Sequence, residues 1–186
     1  AALRSPGTRV VNLSFSRISP PRPSIENLEI LLQQIIDLSE YDGLIEVYVN
    51  DLQTSQEIHF AVQAGQLVAP DISFTAASTM KIPIMVSVMQ RVNAVENEEV
   101  TGLIQLMIER SENDPADRLM ETVMDRNLGP LEVTKDMQAL GFQNTFMAGY
   151  FYPGAPLLQR IQTPANQRSD VQAGPDPYNQ TTPAEI

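Results

Sequence analysis

The stretch Phe74–Gln90, FTAASTMKIPIMVSVMQ, decides how this chain is read. It sets one of only two lysines, Lys81, at the head of an apolar run. A lysine beside a core needs a reason, because lysines are almost never fully buried unpaired. Ser78 stands three residues earlier, and residues three apart share a helix face. The pattern predicts a helix from about Ser78 to Asn93, with Pro83 just past its first turn and a local distortion there. Ser78 would then sit at a helix N-terminus, where backbone N–H groups favour developing negative charge. Partial burial lowers a lysine pKa, and a neutral amine beside a hydroxyl can remove its proton without a histidine. Ser-x-x-Lys alone is a weak signal, since about one chance match is expected in a chain this long. An N-cap serine and a snorkelling surface lysine would explain the same two residues.

Upstream, Ser24 is placed to cap a helix to about Glu40, with Ile25, Leu28, Leu31, Leu32, Ile35 and Ile36 at helical spacing. GLIEVYVNDL and EIHFAV read as strands around the turn DLQTSQ, and AGQ reads as the break that ends the hairpin. His59 reads as an ordinary strand residue. Downstream, VENEEV is a polar break, and TGLIQLMIER a short helix with Thr101 as its cap. In SENDPADRLMETVMDRN, Asp114 is expected to cap, Pro115 to open the helix, and Asp117 to add charge near its N-terminus. LEVTKDMQAL is helical and Gly141 ends it. Residues 144–180 are rich in Pro, Gly, Gln and Asn and read as a long loop, functional or mobile. TTPAEI announces a helix through Thr182, Pro183 and Glu185 and then stops. The expectation is a fragment of a longer fold, completed elsewhere.

Composition bounds these readings. The 186 residues suit one domain (24–186) with an N-terminal tail or linker (1–23). The hydrophobic fraction of 42% supports a core. The first 23 residues hold four arginines and no acid, leaving 8 basic and 23 acidic residues for the rest, a net of −15. An acidic domain argues against nucleic-acid partners. The absence of cysteine excludes disulfides, thiolate metal sites and a cysteine nucleophile, and a single histidine argues against a histidine-centred metal cluster or a Ser-His-Asp triad. No cofactor is called for. The longest apolar run, IPIMVSVM, is too short for a membrane span. No signal peptide is visible, and the start, which is not Met, reads as processed or trimmed.

The second motif is Ser111–Glu112–Asn113, in the loop before a helix. STMK heading an apolar helix, followed by Ser-x-Asn between two helices, resembles the class A β-lactamases and penicillin-binding proteins. The order of elements agrees over roughly residues 24–186. The resemblance implies an α/β (α+β) fold, an antiparallel sheet flanked by helices plus a mostly helical subdomain. It implies Ser78 as nucleophile toward a lactam or peptide carbonyl, Lys81 as base or proton relay, and Ser111 as donor to the leaving nitrogen. Asn113 would bind the substrate amide and orient Lys81. The Ser78 N–H would give half of an oxyanion hole. The partner would be a small-molecule β-lactam or a cell-wall peptide, the location periplasmic, secreted or at the cell surface, and a separate C-terminal fragment could complete the fold.

Departures narrow the expectation. Glu112 stands where such enzymes usually carry Asp, and the two serines are close in sequence for the family. The Lys-Thr-Gly motif and the Glu-x-x-Leu-Asn loop are not found, and no glutamate lies between Gly141 and Pro183. Asn166 and Asp170, in NQRSD, are the nearest candidates to position a hydrolytic water. The expected activity is acylation with impaired deacylation. The alternatives are a D-alanyl peptidase or transpeptidase, a glutaminase-like amidase, or a non-catalytic module that keeps the fold.

Overall fold

A computed structural model describes residues 24–93 and 96–186. The tail read at 1–23 and part of the polar break at 95–100 therefore lie outside the described residues. The architecture is α+β, with helices and small antiparallel sheets.

Helix α1 (Ile25–Leu38) starts where expected, with the Ser24 hydroxyl accepting the Asn27 N–H at 3.3 Å. It lies on a hairpin of β1 (Leu44–Asp51) and β2 (Gln56–Gln63), in a register that sets Tyr48 opposite His59. Ile25, Leu32 and Ile36 of the helix meet Ile58, Phe60 and Val62 of β2. The hairpin does not end at AGQ. Ala64 and Gly65 both take left-handed backbone (φ 48° and 73°), which folds the chain back into β3 (Gln66–Val68) on β2. What read as a break is a tight turn that needs those conformations.

The helical half comprises α2 (Lys81–Arg91), α3 (Glu98–Glu109), α4 (Asn113–Val123) and α5 (Gly129–Ala139). They enclose one core, in which Met80, Ile84, Val88, Met107, Leu119, Met120 and Val133 are fully buried. The starts of α3, α4 and α5 differ from the sequence reading. Asn97, not Thr101, caps α3 by accepting the Val100 N–H at 3.1 Å. Glu98 and Glu99 thus belong to its first turn, where the helix dipole favours acids. Asp114 sits inside the first turn of α4 instead of capping it, because Asn113 is already helical. Gly129 and Pro130 open α5 ahead of the predicted start. Its end is as read: Gly141 has φ 100° and follows the helix as its left-handed terminator.

The segment read as a loop carries real structure. Short strands β4 (Phe74–Thr75), β5 (Phe146–Met147) and β6 (Asn179–Thr181) form a second sheet in the order β4-β6-β5. This sheet ties the approach to Ser78 to the far end of the chain. The TTPAEI signal yields only a 3₁₀ turn, Pro183–Glu185, and the Thr182 side chain does not cap it. The Glu185 carboxylate turns away instead. It accepts from the Gln143 and Asn144 N–H groups, the Asn144 side-chain amide and the Thr145 hydroxyl. Several donors gathered from one loop outweigh a single capping bond.

Candidate active site

Ser78 is not the first residue of an α-helix. It lies in a 3₁₀ turn, Ala77–Met80, and the α-helix begins at Lys81. Pro83 explains the offset. In an α-helix begun at Ser78, its ring would clash with the Thr79 carbonyl. With the helix begun at Lys81, Pro83 falls in the first turn, where a missing N–H costs nothing, and the expected distortion becomes the 3₁₀ turn. Ala77 has φ 49°, a left-handed conformation unusual outside glycine. Asn179 holds it, accepting the Ala77 N–H on its side chain at 2.6 Å and the Ala76 N–H on its carbonyl at 3.3 Å.

The structure brings Ser78, Lys81, Ser111 and Asn113 together. Lys81 is 2% exposed, while Ser78, Ser111 and Asn113 are open to solvent above it. Its amine lies 3.3 Å from the Ser78 hydroxyl, 3.1 Å from the Ser111 hydroxyl and 2.9 Å from Asn113 Oδ1, and it also donates to the Ser111 carbonyl. Ser111 takes φ 56° to present that carbonyl and its side chain to the same nitrogen. The Phe151 ring covers the amine, its centroid 5.3 Å from Nζ.

The chemistry of the four neighbours is uneven. The Ser111 carbonyl and Asn113 Oδ1 only accept, whereas the two hydroxyls also donate. A neutral amine has two N–H donors and one lone pair. The donors match the two pure acceptors, and the lone pair is left to the hydroxyls. Burial lowers the Lys81 pKa from the ordinary lysine value, and the charge of Asp117 opposes that shift. The arrangement can therefore hold an amine able to accept a proton from an exposed serine.

Asn166 and Asp170 are placed otherwise. The Asn166 side chain accepts from the Thr163 N–H at 2.9 Å and donates to the Ile161 carbonyl at 3.0 Å and Gln180 Oε1 at 2.9 Å. Asp170 pairs with Arg168 at 2.6 Å, which holds its carboxyl below the usual range. Arg168 in turn donates to the Ala69 and Pro70 carbonyls. Asn166 thus ties the loop to β6 of the second sheet, and Asp170, through Arg168, braces it against the segment that follows β3.

His59 does more than fill a strand. Its Nε2 lies 2.7 Å from Glu46, whose carboxylate also accepts the Asp71 and Ile72 N–H groups at 2.9 Å each. Glu46, His59 and Asp71 have the spacing of a cation site. The Glu46 oxygens are already engaged, and this reads as a tie between hairpin and loop.

Sequence reasoning missed three residues that shape the site. Asp117 was read only as a helix-end charge, yet it follows Asn113 by four residues and so shares its face of α4. Phe151 and Asn179 lie in aperiodic sequence, and nothing local announces them.

Residues 27–98 match the family model described as the β-lactamase enzyme family. The match covers most of α1, the hairpin, the Ser78–Lys81 turn and α2, and Ser111 and Asn113 lie beyond it. It is consistent with a β-lactamase-like serine hydrolase, and at that level supports a hydrolase with a small-molecule substrate. No curated protein matches the chain. Among the described residues, no helix is long and apolar enough to cross a membrane.

Proposed function

We propose that this protein is a serine acyl-enzyme hydrolase of the β-lactamase type, acting on β-lactams or related amides, with slow deacylation. One observation carries the reading: a single buried amine lies within hydrogen-bond distance of two exposed serine hydroxyls and an asparagine carbonyl.

In this reading the Ser78 Oγ–H bond breaks as Oγ attacks the carbonyl carbon, and the proton passes to Lys81 Nζ. Collapse of the tetrahedral species expels the amide nitrogen. Ser111 donates its hydroxyl proton to that nitrogen and is reprotonated by Lys81, which returns to the neutral amine. Asn113 aligns the substrate amide. Such proton transfers contribute typically about 10²–10⁴-fold. Slow deacylation is supported by the engagement of Asn166 and Asp170 in the loop brace. The same observation favours the second reading, a D-alanyl peptidase or transpeptidase that β-lactams acylate durably. A non-catalytic module that keeps the fold is the third. The substrates of this class place the protein outside the cytoplasm. Among the described residues β1 pairs with β2 alone, which is compatible with a further segment or fragment adding to that edge.

A fluorescent penicillin with intact-mass detection separates these readings. A stoichiometric adduct lost in Ser78→Ala is expected, with Lys81→Ala slowed roughly 10²-fold or more. No Ser78-dependent adduct would sink the acyl-enzyme reading. An adduct released within seconds would sink slow deacylation, and equal labelling of Lys81→Ala would remove its assigned role.

A further inference from the structure

The steps above give Asp117 nothing to do. Yet it is 6% exposed, one turn along α4 from Asn113, and one of its carboxylate oxygens is buried with no hydrogen-bond partner. An unpaired buried carboxylate oxygen is costly. Its other oxygen accepts the Phe151 N–H at 2.8 Å, and Phe151 is the residue whose ring covers the Lys81 amine.

The charges around Asp117 are lopsided. Burial above all raises its carboxyl from the ordinary value, and Glu121 and Asp114, both acidic and on its own helix, add to that. From the packed segment opposite come the Phe151 and Tyr152 N–H groups, which lower it. Tyr150, whose phenol burial raises to about 12, stays neutral at physiological pH. From α2 comes Lys81, whose charged form the Asp117 charge favours.

We infer that Asp117 is a positioning residue for Lys81: one carboxylate oxygen fastens the Phe151 roof over the amine, and the other is an uncommitted buried charge that balances the ammonium formed when Lys81 takes the Ser78 proton. The proton comes from Oγ–H and goes to the Nζ lone pair, so the site gains a positive charge beneath the acylated serine. In a roofed, water-poor place that charge needs a fixed counter-charge. Asn113 and the two serines are neutral and supply none. This inference rests on the serine acyl-transfer reading for its purpose, but not for its test.

The chain holds two lysines, so protein labelled with ¹³C-lysine gives two side-chain signals, and Lys135→Arg assigns them. The full chain is titrated by NMR as wild type, Asp117→Asn, Asp117→Ala and Phe151→Leu. Asparagine keeps an oxygen for the Phe151 N–H and removes the charge. The Lys81 titration should move to lower pH in Asp117→Asn, with Lys135 unmoved. Phe151→Leu removes the ring and leaves the carboxylate, and should raise Lys81 by admitting water. In wild type and Asp117→Asn, the pH profile of penicillin acylation should move with the Lys81 titration. Asp117→Ala should lose about tenfold or more in acylation at every pH, and the other two variants decide the matter if it does not fold. An unchanged or raised Lys81 titration in Asp117→Asn overturns the inference. Failure of penicillin to label any form, with the Lys81 shift present, would overturn the acyl-transfer reading and leave the Asp117–Lys81 coupling standing.

Discussion

The helical half and the hairpin half of this molecule are built to different standards. In the helical half, α2, α4 and α5 close on a core whose central side chains are fully buried. In the hairpin half, α1 buries no residue at all, and Ile30, Leu31, Ile35 and Leu38 are 51–83% exposed. The buried Lys81 amine and all four of its bonding partners come from the closed half or the turn that enters it. A catalytic nitrogen must keep its distances to within a fraction of an ångström, and only dense packing holds them so. The hairpin half reaches the site indirectly, through Glu46 and the loop at Asp71–Ile72.

Four substitutions test that contrast, from the largest expected effect down. Leu119→Ala removes a fully buried side chain between the helices and should cost about 3 kcal/mol in urea unfolding. A loss below about 1 kcal/mol would mean the helical core is looser than its burial implies. Gly129→Ala should cost about 2 kcal/mol, since a Cβ there would stand 2.8 Å from Met120 Cβ and 2.9 Å from the Met120 carbonyl. A neutral result would show that the α4–α5 contact can spread. Glu185→Gln should cost roughly 1–2 kcal/mol by spoiling a carboxylate that accepts several donors at Gln143–Thr145. Melting unchanged by that substitution would remove the C-terminal anchor from the account. Leu31→Ala in α1 should cost less than about 1 kcal/mol. Amide exchange is expected to be faster along α1 than along α4, and equal protection would erase the difference between the halves.

What the sequence disclosed follows from the range of the forces involved. The hairpin and α1 were legible because their apolar spacing is local and the Ser24 cap is three residues from its donor. Ser78, Lys81, Ser111 and Asn113 were legible as two short motifs, and the motif order suggested that they meet. The 3₁₀ turn at Ser78 is half-written in Pro83, whose ring forbids an α-helix begun at Ser78 and leaves the residues before Lys81 to absorb the distortion. Strands β4 and β6 were not legible, because strands of two or three residues exist only through distant partners, β6 pairing with both β4 and β5. Asn179, which holds the turn before Ser78, and Phe151, which roofs the amine, share that character. The family match ends at residue 98, so similarity covers Ser78 and Lys81 and stops short of the groups that hold the lysine in place.

Ala77 and Ser111 flank the amine from two segments, and both keep left-handed backbone without being glycine. Each such residue stores on the order of 1 kcal/mol or more. Lys81 grips the Ser111 side of that strain by its carbonyl and hydroxyl. Trapping experiments should be chosen accordingly. A Lys81 variant is not the native pocket minus an amine, because the Ser111 loop loses the group that holds it. A Ser78 variant leaves the grip intact, so a ligand captured there reports the pocket that the working protein presents.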